Sequence, residues 1–180
     1  MRRGGAVTTN NPDLLKTIRM LRDWGAEKKY HHDLKGFNYR MEGIQGAVLN
    51  VKLRHLNQWN EARRSIAQTY DLGLKNSSVR TPFAENDSRH VFHVYAIRTE
   101  KRESLIQHLD QQKIYTNIHY PIPVHLQKGY QDLGYKEGDL PITETLSRQV
   151  LSLPIFPEMV SQDMEEVVQG ILGWEKETKS

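Results

Sequence analysis

Two short segments carry the residue types that anion and substrate chemistry needs. The first is Gly36-Phe37-Asn38-Tyr39-Arg40-Met41. An amide side chain with a guanidinium two positions on, at the entry to a helix, offers neutral donors, a forked cation and free backbone N–H groups to one anion. The same spacing also suits a helix cap by Asn38 beside a surface Arg40. The second is Ile118-His119-Tyr120-Pro121-Ile122-Pro123-Val124-His125-Leu126-Gln127. Pro121 and Pro123 hold it extended beyond a strand end, where α/β folds place ligands. His119, Tyr120 and His125 then face a cleft, or pack locally on a rigid turn.

The eight histidines also invite a metal. His31 and His32 are adjacent and point apart, and His90 and His93 fall on opposite faces of a strand. No His-Glu-x-x-His pattern occurs. Gly-x-Ser-x-Gly, Gly-x-Gly-x-x-Gly and the glycine-lysine phosphate loop are missing too, which speaks against the commonest serine hydrolases and nucleotide binders. With no cysteine there is no disulfide framework, thiolate metal site or cysteine nucleophile.

The 180 residues carry 25 Lys+Arg against 22 Asp+Glu, a net charge of +3. The basic groups Lys16/Arg19/Arg22, Lys28/Lys29 and Arg63/Arg64 are dispersed among acids, so the surface is a solvated one and nucleic acid is not expected. No apolar run is long enough to span a membrane. Met1-Arg2-Arg3-Gly4-Gly5 lacks the apolar core of a secretory signal. A cytoplasmic globular chain is the expectation.

The elements that must position these residues follow from periodicity. Gly4 to Thr9 reads as a glycine turn and strand end. Asn11, Pro12 and Asp13 open a helix carrying Leu14, Leu15, Ile18 and Leu21, with Gly25 as its stop and Lys16 on a solvated face. Residues 26–40 read as a loop. Ile44, Val48, Val51, Trp59, Ala62, Ile66 and Tyr70, with a second stripe of Leu49, Leu53 and Leu56, predict one long helix apolar on two sides, of the kind held between layers or subunits. His55 lies on that stripe as a core histidine. Gly73 and Lys75 to Ser78 end the helix. A compact α/β unit follows: strands over His90–Arg98 and Ile114–Tyr120, a helix at Leu105–Leu109, a helix opened by Pro141 through Ile142, Leu146 and Val150, and a last helix capped by Ser161 with Met164, Val167, Val168 and Ile171 inward.

These segments together resemble the DegT/DnrJ/StrS family of nucleotide-sugar aminotransferases. The resemblance rests on Gly-Gly-Ala-Val-Thr-Thr-Asn, Leu-Arg-Asp-Trp-Gly, the segment from Gly36 to Ala47, the segment from Ile118 to Gln127, and Val150 to Met159. They stand in order over almost the whole chain and match the C-terminal half of such an enzyme. The resemblance implies an α/β fold of the aspartate-aminotransferase type (fold type I of the pyridoxal-phosphate transferases), with residues 1–75 ending the large cofactor domain and 76–180 forming the small C-terminal domain. It implies a dimer that moves an amino group, usually from glutamate, onto a nucleotide-linked keto-sugar for polysaccharide or deoxyaminosugar biosynthesis.

In that family a lysine holds the cofactor as a Schiff base and then moves protons. It lies just before the opening glycine pair, and the acid that binds the pyridine nitrogen lies further upstream. The 180 residues contain neither, so the resemblance implies no catalytic residue here, an incomplete pyridoxal 5′-phosphate site, and no activity without the N-terminal half or a partner chain. It implies that Asn38 bonds the cofactor phosphate in the partner subunit and that Arg40 reaches the anionic part of the substrate. His119 and Tyr120 line the sugar or its pyrophosphate, with His125 on the same wall, and Lys29, Tyr30 and His31 sit in a loop crossing toward the partner. The alternative is a non-catalytic relic that associates with other aminotransferase chains.

Overall fold

The computed structural model describes residues 5–85 and 87–179; the opening glycine turn at Gly4 lies outside them. The chain divides into two compact units, Met1–Leu56 and Asn57–Ser180.

In the first unit, α1 spans Pro12–Arg22. Its start follows the sequence reading: the Asn11 side-chain oxygen accepts from the N–H groups of Asp13 and Leu14 at 2.9 and 3.0 Å, and Pro12 occupies the first turn. Gly5 to Thr9 form no strand, because no neighbouring strand among the described residues offers them a ladder. α1 ends where Trp24 and Gly25 both take left-handed conformations (φ 58° and 75°). Of its residues only Met20 is buried, and Leu14 and Leu15 are exposed.

Residues 26–32 are a hairpin rather than a loop: β1 (Ala26–Lys28) pairs antiparallel with β2 (His31–His32). Tyr30 takes a positive φ of 71° at its tip. The chain then returns along α1, with Phe37 N–H bonded to Leu21 O at 2.7 Å, Trp24 N–H to Phe37 O at 2.9 Å and Tyr39 N–H to Arg22 O at 2.8 Å. A Cβ at Gly25 would stand 1.7 Å from the Leu34 carbonyl oxygen, and one at Gly36 2.1 Å from the Gly25 nitrogen. The two backbones therefore touch, which only glycine permits.

The single long helix expected from Ile44 to Tyr70 is two. α2 runs Gly43–Leu53 and α3 Leu56–Gly73, with a break at Arg54 and His55. His55 is exposed at that break and not in a core. α2 buries no residue, and Ile44, Val51 and Leu53 are exposed. The two apolar stripes persist across the break, which is why periodicity alone does not reveal it.

The second unit packs α3, α4 (Arg102–Gln111), α5 (Pro141–Gln149) and α6 (Ser161–Lys179) around a two-stranded antiparallel sheet. Its strands are β3 (Tyr95–Arg98) and β4 (Val150–Leu153), in register Tyr95↔Leu153 to Arg98↔Val150. Tyr70, Leu74, Tyr95, Ile97, Leu105, Leu109, Leu151 and Ile171 are fully buried at its centre. The buried phenols are satisfied: Tyr70 donates to Pro154 O at 2.8 Å and Tyr95 to Asp71 Oδ1 at 2.6 Å. Burial raises both phenol pKa values, and for Tyr95 the Asp71 carboxylate adds to the rise.

Three readings change here. β3 is only the end of the expected His90–Arg98 strand, because Phe92 takes φ 45° and ends the extended run. Ile114–Tyr120 contributes a single bridge, Asn117↔Ser152, instead of a strand. The second strand is Val150–Leu153, so Val150 leaves α5, and that helix turns inward through Glu144 and Ser147 while Ile142 is exposed. In α6, Val167, Val168 and Ile171 are buried as expected and Met164 is partly buried against the core, while Ser161, expected as the cap, is the first residue of the helix.

Candidate functional site

The expected site residues fall into two places, one in each unit. In the first unit the return strand after the hairpin sets Asn38 opposite Asp23 in an antiparallel bridge. Arg40 follows, its Nε donating to Asn38 Oδ1 at 3.3 Å and its Nη1 standing 3.0 Å from Asp23 Oδ1. Asn38 and Arg40 thus form one polar unit, as their spacing predicts. The fixing element is the end of α1 and not the helix that follows. Because Arg40 ties up only the Asn38 oxygen, the amide N–H groups keep their donor capacity; among the described residues none is taken.

Arg40 lines a cleft of about 560 Å³ together with Asp23, Trp24, Lys29, Tyr30 and His32. Lys29 and Tyr30, expected in a loop crossing toward a partner, here line the same cleft as Arg40. The Lys29 ammonium lies 5.0 Å from the Tyr30 ring centre. His31 is not among the lining residues; its neighbour His32 is, with Nδ1 2.9 Å from Trp24 O. Strand alternation in the hairpin separates the two histidines, and it was hidden because residues 26–40 read as a loop. Asp23 was also missed. Its signal was present in the Leu-Arg-Asp-Trp-Gly segment, but an acid near a helix end reads first as a surface charge. Lys16 is exposed and pairs with Glu27 at 2.7 Å, which raises its pKa through that hydrogen bond and charge.

In the second unit the bridge Asn117↔Ser152 brings His119 over the middle of β4. His119 Nδ1 is 2.9 Å from Ser152 Oγ, and His119 lines a cleft of about 360 Å³ with His93, Tyr115, Asn117 and Ser152. Tyr120 is exposed, its ring set edge-on to His119 with centroids 5.5 Å apart. His125 does not join them. It is buried, with Nε2 3.1 Å from Glu144 Oε1, and lines neither cleft. The first turn after Pro123 directs it inward, so its setting is a buried hydrogen-bonded pair instead of the cleft wall expected from sequence. Burial alone would raise the Glu144 carboxyl, but the Gly138 N–H, His125 and the Leu140 N–H outweigh it and hold the group below the ordinary carboxylate range.

The cleft holds the Arg40 guanidinium and the Lys29 ammonium beside the Asp23 and Glu27 carboxylates, with the Asn38 amide joined to Arg40 but outside the lining, and its two cations suit a phosphate or carboxylate. Among the described residues no three His, Cys, Asp or Glu side chains gather as metal ligands, and no helix is long and apolar enough to cross a membrane.

The model of the DegT/DnrJ/EryC1/StrS aminotransferase family fits residues 1–172, and the chain belongs to that family. It is 41% identical over 172 residues to the dTDP-3-amino-3,4,6-trideoxy-α-D-glucose transaminase of Streptomyces venezuelae, covering 95% of this chain and 45% of that one. To the dTDP-3-amino-3,6-dideoxy-α-D-galactopyranose transaminase of Aneurinibacillus thermoaerophilus it is 39% identical, over 93% of this chain and 46% of the other. The crystal structure of S. venezuelae DesV in complex with a ketimine intermediate superposes with a TM-score of 0.88 at 40% identity, covering 93% of this chain and 46% of that one. A DegT DnrJ EryC1 StrS aminotransferase from Brucella abortus gives 0.85 at 34% identity, covering 93% and 45%. The chain spans a little under half the length of these relatives. Its fold is that of the corresponding part of the DegT-family aminotransferases, as the resemblance implied.

Proposed function

We propose that these residues form the C-terminal, phosphate- and sugar-facing part of a pyridoxal-phosphate-dependent aminotransferase that acts on a nucleotide-linked keto-sugar with glutamate as donor. The observation that supports it most is the joined pair Asn38–Arg40, whose guanidinium lines a cleft with Lys29, at positions the family resemblance singles out. The residues fit the cofactor's phosphate, because Asn38 retains amide donors beside a cation fixed by Asp23. When bound, the cofactor supplies a carbonyl that exchanges with amino groups and a ring that accepts electrons.

In this reading Asn38 holds the phosphate of the cofactor carried by a partner subunit in a homodimer. Arg40 holds the anionic end of the sugar nucleotide, and Lys29 and Tyr30 close the same side, with His31 kept at the rim. His119, oriented by Ser152, and Tyr120 contact the sugar or its pyrophosphate. On this reading the pairing lysine would come from the portion of the relatives that these 180 residues do not match, and the residues assayed alone are expected to be inactive.

The test starts with the purified 180-residue protein, pyridoxal phosphate and borohydride. No single lysine should be labelled stoichiometrically, and one that is would overturn this division of labour. Joining the chain to the unmatched portion of the S. venezuelae relative should give glutamate-dependent amination of a dTDP-linked keto-sugar. Tight association without turnover would instead mark a non-catalytic relic. In the active assembly, Asn38→Ala should weaken cofactor retention at least about tenfold, since a hydrogen bond to the charged phosphate is lost. Arg40→Ala should raise KM for the sugar nucleotide with kcat nearly unchanged, and an unchanged KM would remove Arg40 from the site.

A further inference from the structure

A third cleft, of about 490 Å³ and wholly within the second unit, is lined by Ser78, Arg80, Arg98, Thr99, Lys101 and Trp174 among others. Arg80 and Arg98 face each other across an isolated antiparallel bridge and exchange both backbone hydrogen bonds, each 2.9 Å. Directly opposed residues of such a pair project to the same side, with Cα atoms about 5.5 Å apart. Both arginines line the cleft, so two like charges share it, a repulsion that an anion between them would relieve. Among the described residues neither has an ion-pair partner. Glu100, the carboxylate on the rim, forms no ion pair with them or with Lys101.

The floor adds donors and rigidity. The Thr99 hydroxyl is buried and accepts from the Lys101 N–H at 3.3 Å, which sets the turn carrying Lys101. On its wall, Ser78 is clamped by Glu175, its hydroxyl donating at 2.7 Å, and the Trp174 indole donates to Ser104 Oγ at 2.9 Å. The cations are thus mounted on a packed strand edge, where little ordering remains to be done on binding.

We propose that this cleft binds a phosphate dianion, free or as the terminal group of a small phosphomonoester, held by the forks of Arg80 and Arg98 with Lys101 at its edge. The site belongs to the second unit alone and shares no lining residue with the Arg40 cleft.

The protein carries its own reporters, because Trp174 lines this cleft and Trp24 lines the Arg40 cleft. Titrating the ¹⁵N-labelled 180-residue protein with inorganic phosphate at constant ionic strength, with chloride as control, should shift the Trp174 indole and the Lys101 amide along one saturable curve. Arg98→Gln should raise the Kd for phosphate at least about tenfold, since a hydrogen bond to a charged group is lost. Arg80→Gln, at a more exposed position, should do the same and covers the case in which the Arg98 variant does not fold. Phosphate should also raise Tm of the parent and not of either variant, while Arg40→Gln keeps the effect at Trp174. Glucose 1-phosphate in place of phosphate distinguishes the two sources: a Kd equal to that of phosphate means the bare group is read, and a lower one means the ester's remainder is contacted as well. Linear, unsaturated shifts that chloride reproduces, or saturation unchanged in both variants, would overturn the proposal. Neither result would touch the proposed aminotransferase function.

Discussion

Arg40 is not a free cation waiting for a ligand: Asp23 already holds it at 3.0 Å, with both side chains about half exposed. An exposed pair of this kind contributes about 0.2–1 kcal/mol, enough to orient a guanidinium and too little to hold it against a phosphate. Asp23→Asn should therefore tighten binding of inorganic pyrophosphate at the Trp24 cleft by about two- to fivefold, read from Trp24 fluorescence, with fold stability nearly unchanged. A weakened affinity would mean that Asp23 positions Arg40 more than it competes for it. At this scale the site residues were legible by type but not by setting. Asn38 and Arg40 carry their chemistry in their names, whereas His125 looks identical to His119 until the 3-10 turn after Pro123 directs it inward onto Glu144.

The hairpin is the element that assembles the first cleft, and it depends on backbone contact. Gly25→Ala would put a methyl group on the Leu34 carbonyl at a positive φ, both unfavourable. The substitution should cost at least about 2 kcal/mol and release Lys29, Tyr30 and His32 from the cleft, seen as loss of the near-ultraviolet signal of Trp24 without unfolding of the second unit. Helix α1 was readable from its cap and periodicity, and α4 and α6 from periodicity, which are local properties of the chain. β1 and β2 were not, since three- and two-residue strands leave no alternation to detect. The shift of the strand to Val150–Leu153 depends on Tyr95–Arg98, a partner remote in sequence, and the break between α2 and α3 leaves the apolar spacing unbroken, so neither shows in the sequence.

The second unit carries a continuous core, and its stability is predictable from burial. Ile171 is fully buried, so Ile171→Ala should lower unfolding free energy by about 2–5 kcal/mol, measured by urea denaturation. A second handle is pH. The Glu144 carboxyl titrates below its unfolded value, so the stabilisation it contributes is complete above the ordinary carboxylate range and is lost as pH falls through the depressed folded value. Tm of the parent should thus fall steeply on acidification below about pH 4.3, and Glu144→Gln should flatten that fall. Identical acid limbs would show that other carboxylates dominate.

The seating of Asp33 and Leu34 on one acceptor has a kinetic consequence. Both N–H groups donate to the same Gly25 carbonyl, at 3.0 and 3.2 Å, so neither amide is released unless that carbonyl turns away. The two protons should then trade with deuterium at one common opening frequency, a synchronised clock for the moment when the Arg40 cleft comes apart.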